Sequence, residues 1–225
     1  FHYRWHPQTD IDNAGTLLPL FQKVNLSQEQ FAQFKRYVTE RQVGRLHVVG
    51  SNDVTAPVID ASYTRLLSAM EAHLTAQPFL MGQRPGACDF ALYGQLTQLV
   101  GFDPTPRAIT HHISPRTVAY TGLMEDQTGL EPEATDWINS NDVPETLKGI
   151  LKEVGRVYVP ALLANAKALQ AGEKEWQAEI DGSRWTQQTF NYQGKCLQWI
   201  NAQYQTLSVD DRVRVDSLLE GTGCE

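Results

Sequence analysis

The chain has 225 residues, 41% of them hydrophobic, and a formal net charge of -7, which is enough apolar material for one large domain or a domain with an appendage. An acidic chain with no basic run cannot neutralise phosphates, so a nucleic-acid or anionic-membrane surface is excluded as the main partner in favour of small molecules or proteins. Cys88, Cys196 and Cys224 are widely spaced and lack a Cys-x-x-Cys pair, which suits a reducing cytosol rather than a disulfide framework or a zinc site.

No window reaches the roughly 18 uninterrupted apolar residues of a membrane span, and no basic-then-apolar leader stands at the start. A cytoplasmic location is therefore expected. The opening, Phe1-His2-Tyr3-Arg4-Trp5-His6, is dense in aromatic and cationic groups and makes a poor frayed terminus. Further chain is expected before it. Residues 10–21 mix polar turn residues with Leu17, Leu18, Leu20 and Phe21 and predict a loop and a short helix. Leu26-Ser27-Gln28-Glu29-Gln30-Phe31 is a complete helix start: Ser27 caps, Gln30 reaches back and Leu26 meets Phe31 as a hydrophobic staple. The helix runs to about Gly44 with Phe31, Phe34 and Val38 as its buried stripe. Thr55-Ala56-Pro57 opens a second long helix, in which Ile59, Tyr63, Leu66, Leu67, Met70 and Leu74 recur at three- and four-residue steps.

The strongest signal comes next, in Phe79-Leu80-Met81-Gly82-Gln83-Arg84-Pro85-Gly86-Ala87-Cys88-Asp89-Phe90-Ala91-Leu92-Tyr93-Gly94. A turn rich in Gly and Pro runs into an apolar helix, with Asp89 three residues after Gly86, where the last residue of a capping box sits. Asp89 is expected to accept the Gly86 N–H, and Pro85 with Phe90 to close over it as a staple. The pattern Phe-Leu-x-Gly-x-Arg-Pro-x-x-x-Asp-Phe-Ala-Leu-Tyr-Gly resembles the helix-start motif of the glutathione S-transferase C-terminal domain, over roughly residues 31–130. The family usually has Ser or Thr where this chain has Gly86, so half of the reciprocal cap is missing, although Gly is a tolerable cap residue. The resemblance implies a buried central helix from about Gly86 to Val100.

Residues 102–110 then predict a loop punctuated by Pro104 and Pro106. Ser114-Pro115 reads as cap and first helical position of a helix that stops near Gly129. Asp142-Val143-Pro144-Glu145 starts another helix, striped by Leu147, Ile150, Leu151, Val154, Val157 and Tyr158. Pro160 is expected to kink or break it before the periodicity resumes to a stop at Gly172. Asp181-Gly182 between alternating residues is a hairpin signal, whose two-residue turn pairs Ile180 with Ser183, Glu179 with Arg184 and Ala178 with Trp185. An aromatic helix from Tyr192 to about Tyr204 and a short helix capped by Ser208 close the chain. The segment from about Trp137 exceeds the transferase domain and resembles an extension in some bacterial members, with Tyr192-Gln193-x-Lys195-Cys196-Leu197.

The expected fold is thus all-α: a helical bundle of the glutathione S-transferase C-terminal type (residues 1–136) with a helical extension and one small β-hairpin (137–225) packed on it. What the resemblance implies about activity is the hydrophobic-substrate wall of an enzyme that conjugates glutathione to an electrophile. Glutathione, the co-substrate, binds mainly to an N-terminal thioredoxin-like domain that these 225 residues do not contain and that supplies the thiol-activating Tyr, Ser or Cys. A homodimer follows from the same resemblance, and no metal is expected because no zinc-ligand spacing is legible.

Candidates for the wall are Tyr3, Arg4, Trp5 and His6, with aromatic faces for an apolar electrophile and Arg4 or His6 for developing negative charge. Packing against a neighbouring domain competes with ligand contact for those aromatics. Gly86 and Asp89 are structural. Cys88 reads as a small buried residue rather than a reactive thiol. His111-His112 reads as loop histidines because adjacent side chains diverge and no third ligand is spaced for a metal. Trp176, Trp185 and Trp199 are expected to cover the hairpin. The acidic stretch of Glu125, Asp126, Glu131, Glu133 and Asp136 reads as a solvated loop. Two further readings stay open: a non-catalytic helical interaction module, since fold does not fix function, and a glutathione-dependent reductase or peroxidase.

Overall fold

The computed structural model describes residues 1–6 and 8–225 and is mostly helical, with a single two-stranded antiparallel sheet among those residues. A one-turn helix α1 (His2–Trp5) leads to α2 (Gln8–Gln22), α3 (Gln28–Val43), α4 (Ala56–His73), α5 (Ala87–Leu99), α6 (Pro104–Ile113) and α7 (Pro115–Leu123). Next come α8 (Glu145–Glu153), a π-helical turn (Val154–Tyr158) and α9 (Val159–Gln170). The chain ends in strands β1 (Glu175–Ile180) and β2 (Ser183–Gln188) and helices α10 (Asn191–Thr206) and α11 (Val209–Leu219). No described helix is long and apolar enough to cross a membrane.

The central device is the turn into α5. Asp89 is fully buried, and its carboxylate accepts the Gly86 N–H at 2.8 Å, the Leu80 N–H at 2.9 Å and the Tyr120 hydroxyl at 2.9 Å. The expected half of the capping box is present, and the same group also ties the turn to α7. The staple is not: Phe90 is 50% exposed. Hydrogen bonds, not an apolar closure, set the angle at which the chain enters α5. Gly82 stands at φ 132°, where a Cβ would lie 2.2 Å from the Asp136 carbonyl. The motif requires glycine there because the strand-like bridges Phe79–Gly82 and Gly82–Trp137 bring two backbones into contact. Arg84 extends the same tie by donating to the Leu130 carbonyl at 2.9 Å.

Around this turn lies the main core, formed by Met70 of α4, Phe79, Leu80, Leu96 of α5, Val100, Tyr120 of α7, Met124 and Ile150 of α8. A second cluster joins Val58 and Ala168 to Trp176 and Ile180 of the hairpin, which explains how a lone hairpin persists. Its register is the expected one, with Ile180 opposite Ser183, Glu179 opposite Arg184 and Ala178 opposite Trp185. The Arg184 guanidinium, however, donates to Gln177. The capping box of α3 forms as expected, with Ser27 accepting the Gln30 N–H. Its stripe of Phe31, Phe34 and Val38 is only half-buried.

Several expectations are corrected. The loop over 102–110 is helix α6, because Pro104 and Pro106 both fall in the first turn, where no N–H is required. The loop and short helix over 10–21 are one helix, α2, which tolerates Pro19 in its interior while Asp10, Ala14, Gly15 and Pro19 are buried along one face. Helix α5 is not buried on several sides: Asp89, Leu96 and the following Val100 face the core, while Ala87, Phe90, Ala91 and Gly94 form an exposed face. α7 stops at Leu123, well short of Gly129. Pro144, not Asp142, occupies the cap position of α8, and no side chain caps there. Trp199 does not cover the hairpin: it is 55% exposed and meets Tyr192 edge-on at 5.8 Å.

Candidate functional site

Pro160 shapes the site. Lacking an N–H, it cannot continue a regular ladder, and the chain accommodates it with the π turn, in which the Val159 N–H reaches back to the Val154 carbonyl. The wider turn carries Val154, Val157 and Tyr158 along a cleft whose other walls are Ile59, Ser62 and Leu66 of α4, Leu99 of α5 and Tyr3 of α1. The cleft measures about 330 Å³, within the range of small-molecule sites. Gly155 backs the turn. A Cβ there would lie 2.1 Å from the Thr222 carbonyl, so the segment after α11 rests directly on the π turn. Cys224 adds a contact to the Leu151 carbonyl at 3.4 Å.

The polar groups at the cleft are mostly committed. Glu153 receives a bidentate pair from Arg65 at 2.7 and 2.8 Å, and Arg65 also reaches Asp181 in the hairpin turn at 2.8 Å. The hydrogen bonds to Glu153 raise the Arg65 pKa above its usual value against the opposing effect of burial. Ser62 donates to the Ile59 carbonyl, and the Tyr63 hydroxyl shares a 2.6 Å hydrogen bond with Thr110. Burial pushes the Tyr63 pKa up, with Thr110 opposing. Tyr3 differs: its hydroxyl is buried beside the Asp60 carboxylate, and burial first, then the hydrogen bond and charge of that carboxylate, raise its pKa far above the usual phenol value. A phenol held neutral in this way is no base, and its buried oxygen presents no free donor to the cleft.

The expected wall residues are divided by the structure. Tyr3 lines the cleft. Trp5 is 1% exposed and is an interior packing residue. Arg4 turns to the other side, where it pairs with Asp103 at 2.7 and 2.8 Å, donates to Gln98 and covers the Phe102 ring at 4.4 Å. His6 stacks on His2 with ring centroids 4.7 Å apart and reaches Asp53 at 3.1 Å. His2, hydrogen-bonded to Ser51 at 2.8 Å, has its pKa lowered chiefly by burial and then by His6.

Cys88 is exposed rather than buried. Partial covering of its thiol and the adjacent Asp89 raise its pKa, so it is no ready thiolate. Gly86 and Asp89 hold the structural role expected of them. Among the described residues no group of three or more His, Cys, Asp and Glu side chains is placed to hold a metal ion. The residues that sequence reasoning missed as cleft walls are Ile59, Leu66, Leu99, Val154 and Val157. They read as helical stripe, and only Pro160 signalled the irregularity that leaves them open. Comparison of the sequence with protein-family models and curated proteins, and of the fold with solved structures, gives no match.

Proposed function

We propose that this chain is the helical, hydrophobic-substrate-binding part of a glutathione S-transferase, in which glutathione sulfur attacks an electrophile held in the cleft. The observation that carries the reading is that the cleft stays open and apolar: the segment after Trp137 supplies one wall, through Val154, Val157 and Tyr158, and does not fill it. The Asp89 half of the capping box at Gly86 and the glycine-dependent turn at Gly82 support it as well. In this reading the thiolate is activated by a residue of a thioredoxin-like domain. That domain docks against the exposed α5 face of Ala87, Phe90, Ala91 and Gly94. The protein is a cytoplasmic homodimer.

Of the original candidates Tyr3 alone is kept as a substrate contact. Ile59, Leu66, Val154 and Val157 join it, binding by area rather than by polar recognition. The kinetic test uses the full-length protein with 1-chloro-2,4-dinitrobenzene and glutathione. Ile59→Trp, which fills the cleft, is expected to raise KM for the electrophile about tenfold, the order of losing one side chain's apolar contact, and to leave KM for glutathione unchanged. Absence of conjugation with any apolar electrophile refutes the transferase reading. It would favour the interaction module, for which the exposed Tyr192, Trp199 and Ile200 on α10 are the supporting observation.

A further inference from the structure

Gly86 has no side chain, and three others ring the point where its Cβ would stand: the Cys88 sulfur, the Met81 Cγ and the Trp137 Cζ3, each 3.7 Å away. None of the three is buried in the core. Cys88 is exposed, Met81 is 39% exposed and Trp137 is 44% exposed. Backbone pairing brings two of them together. The Ile138 N–H donates to the Met81 carbonyl at 2.8 Å and the Gln83 N–H to the Asp136 carbonyl at 2.7 Å, with Gly82 bridged to Trp137. Cys88 comes from the first turn of α5, whose start Asp89 fixes through the Gly86 N–H. Two sulfur-bearing side chains and an indole, from three segments of chain, thus face one small space that shares no residue with the apolar cleft.

The local charges favour a cation there. The Cys88 thiol donates to the Asp89 carboxylate at 3.7 Å, and burial first, then that carboxylate, keep it a thiol at neutral pH. The field that opposes a bare thiolate attracts a cation bound to one. Arg84, the cation of the same turn, is engaged with the Leu130 carbonyl and lies 3.9 Å from Asp136. The donor types decide which cation fits. Structural zinc takes four nitrogen or thiolate ligands, and calcium and magnesium take oxygen. One thiolate with one thioether is a soft set that suits Cu(I), and because the second donor is a methionine it lies outside the His, Cys, Asp and Glu groups considered above. The Met81 sulfur is one bond beyond Cγ, and its unbranched chain can turn it onto an ion. The indole adds a cation–π contact.

We propose that Met81, Cys88 and Trp137 form a binding site for a soft monovalent cation, Cu(I), held between the Cys88 thiolate and the Met81 thioether beside the Trp137 ring. On binding, the Cys88 S–H bond breaks, its proton leaves to solvent and the sulfur lone pair forms the bond to the ion. Copper stays Cu(I), and no electron is transferred. The missing side chain at Gly86 is what leaves room for the ion. The site is independent of the transferase reading, because it uses none of the cleft residues.

The test uses the full chain in the Cys196→Ser/Cys224→Ser background without oxygen, with Cu(I) delivered from its bicinchoninate complex and Ag(I) as a redox-inert second probe. Both ions are expected to saturate at a single ion per chain and to quench tryptophan emission. Trp137→Phe is expected to remove that quenching while the ion is still taken up. Met81→Leu keeps the size of an exposed side chain and removes the sulfur, with circular dichroism checking the fold. It is expected to weaken Cu(I) binding at least about tenfold, a loss that even a supporting group costs a metal site. Cys88→Ser is expected to abolish binding, and excess Zn(II) to leave it intact. Cu(I) affinity unchanged in Met81→Leu would reduce the site to an isolated thiol and overturn the proposal. One ion per two chains, quenching that persists in Trp137→Phe, or displacement by Zn(II) would each overturn it as well.

Discussion

Replacing Asp89 by alanine removes the acceptor for three donors at once: the Leu80 and Gly86 N–H groups and the Tyr120 hydroxyl, at 2.8–2.9 Å in a position without solvent contact. Hydrogen bonds to a charged group contribute about 1.5–3 kcal/mol each, and a buried donor left without a partner costs about 1–3 kcal/mol. The three are not additive, because the turn can relax toward water once it is untied. A loss of about 4 kcal/mol is expected, corresponding to a fall in Tm of roughly 8–16 °C for a chain of this size. Tyr120→Phe removes one donor together with its need for a partner and is expected to cost about 1–2 kcal/mol. In the double variant the orphaned phenol no longer exists, so its cost falls below the sum of the single changes by about 1 kcal/mol. Urea unfolding followed by far-ultraviolet circular dichroism measures all three, with the m-value checking that cooperativity is kept. A cost below about 1 kcal/mol for Asp89→Ala would refute the claim that these bonds hold the turn against α7.

Trp5→Ala is expected to cost about 3–5 kcal/mol in the same unfolding assay, as a large interior side chain does, and to act on stability before it acts on any ligand. Gly155→Ala is expected to displace the segment 222–224, since a Cβ would lie 2.1 Å from the Thr222 carbonyl; amide hydrogen exchange over 220–225 then rises, and unchanged protection contradicts the contact. In a Cys196→Ser/Cys224→Ser background, Cys88 is expected to alkylate with iodoacetamide more slowly at neutral pH than a free thiol, because burial and Asp89 raise its pKa; a rate equal to free cysteine's contradicts this. His2 has a folded pKa depressed below 6.5, mainly by burial, so the folded state binds its proton less well than the unfolded chain. Its contribution is complete above pH 6.5 and is lost as the pH falls through the lowered value. His2→Gln is expected to flatten the pH dependence of stability below pH 6.5, and an unchanged profile would count against it.

What was legible in the sequence was whatever depends on neighbours within a few residues. The Ser27 cap, the Gly86–Asp89 pair, the Ser114 and Ser208 caps and the Asp181-Gly182 turn all use local donors and acceptors, and all formed as expected. Local signals failed where tertiary contacts decide. Two prolines in nine residues look like a loop at 102–110, yet both fit a first helical turn once Asp103 is fixed by Arg4. The second and third roles of Asp89, toward Leu80 and Tyr120, have no signature because their partners lie 9 and 31 residues away. The site was less legible still. Sequence can place Ile59, Leu66, Val154 and Val157 on apolar stripes, but whether a stripe meets another stripe or an open cleft depends on the π turn set by Pro160. The aromatic opening drew attention for its composition, and three of its four candidates are engaged in packing or ion pairs.

On the proposed reading the open cleft beside the π turn takes an apolar ligand. Methyl-resolved NMR of the chain titrated with 2,4-dinitrotoluene, an unreactive relative of the electrophile, tests it most directly. Saturable shifts are expected, concentrated in the methyl groups of Ile59, Leu66, Leu99, Val154 and Val157 and abolished by Ile59→Trp. Shifts spread over the exposed residues of α10 and α11, or none at millimolar ligand, would contradict it.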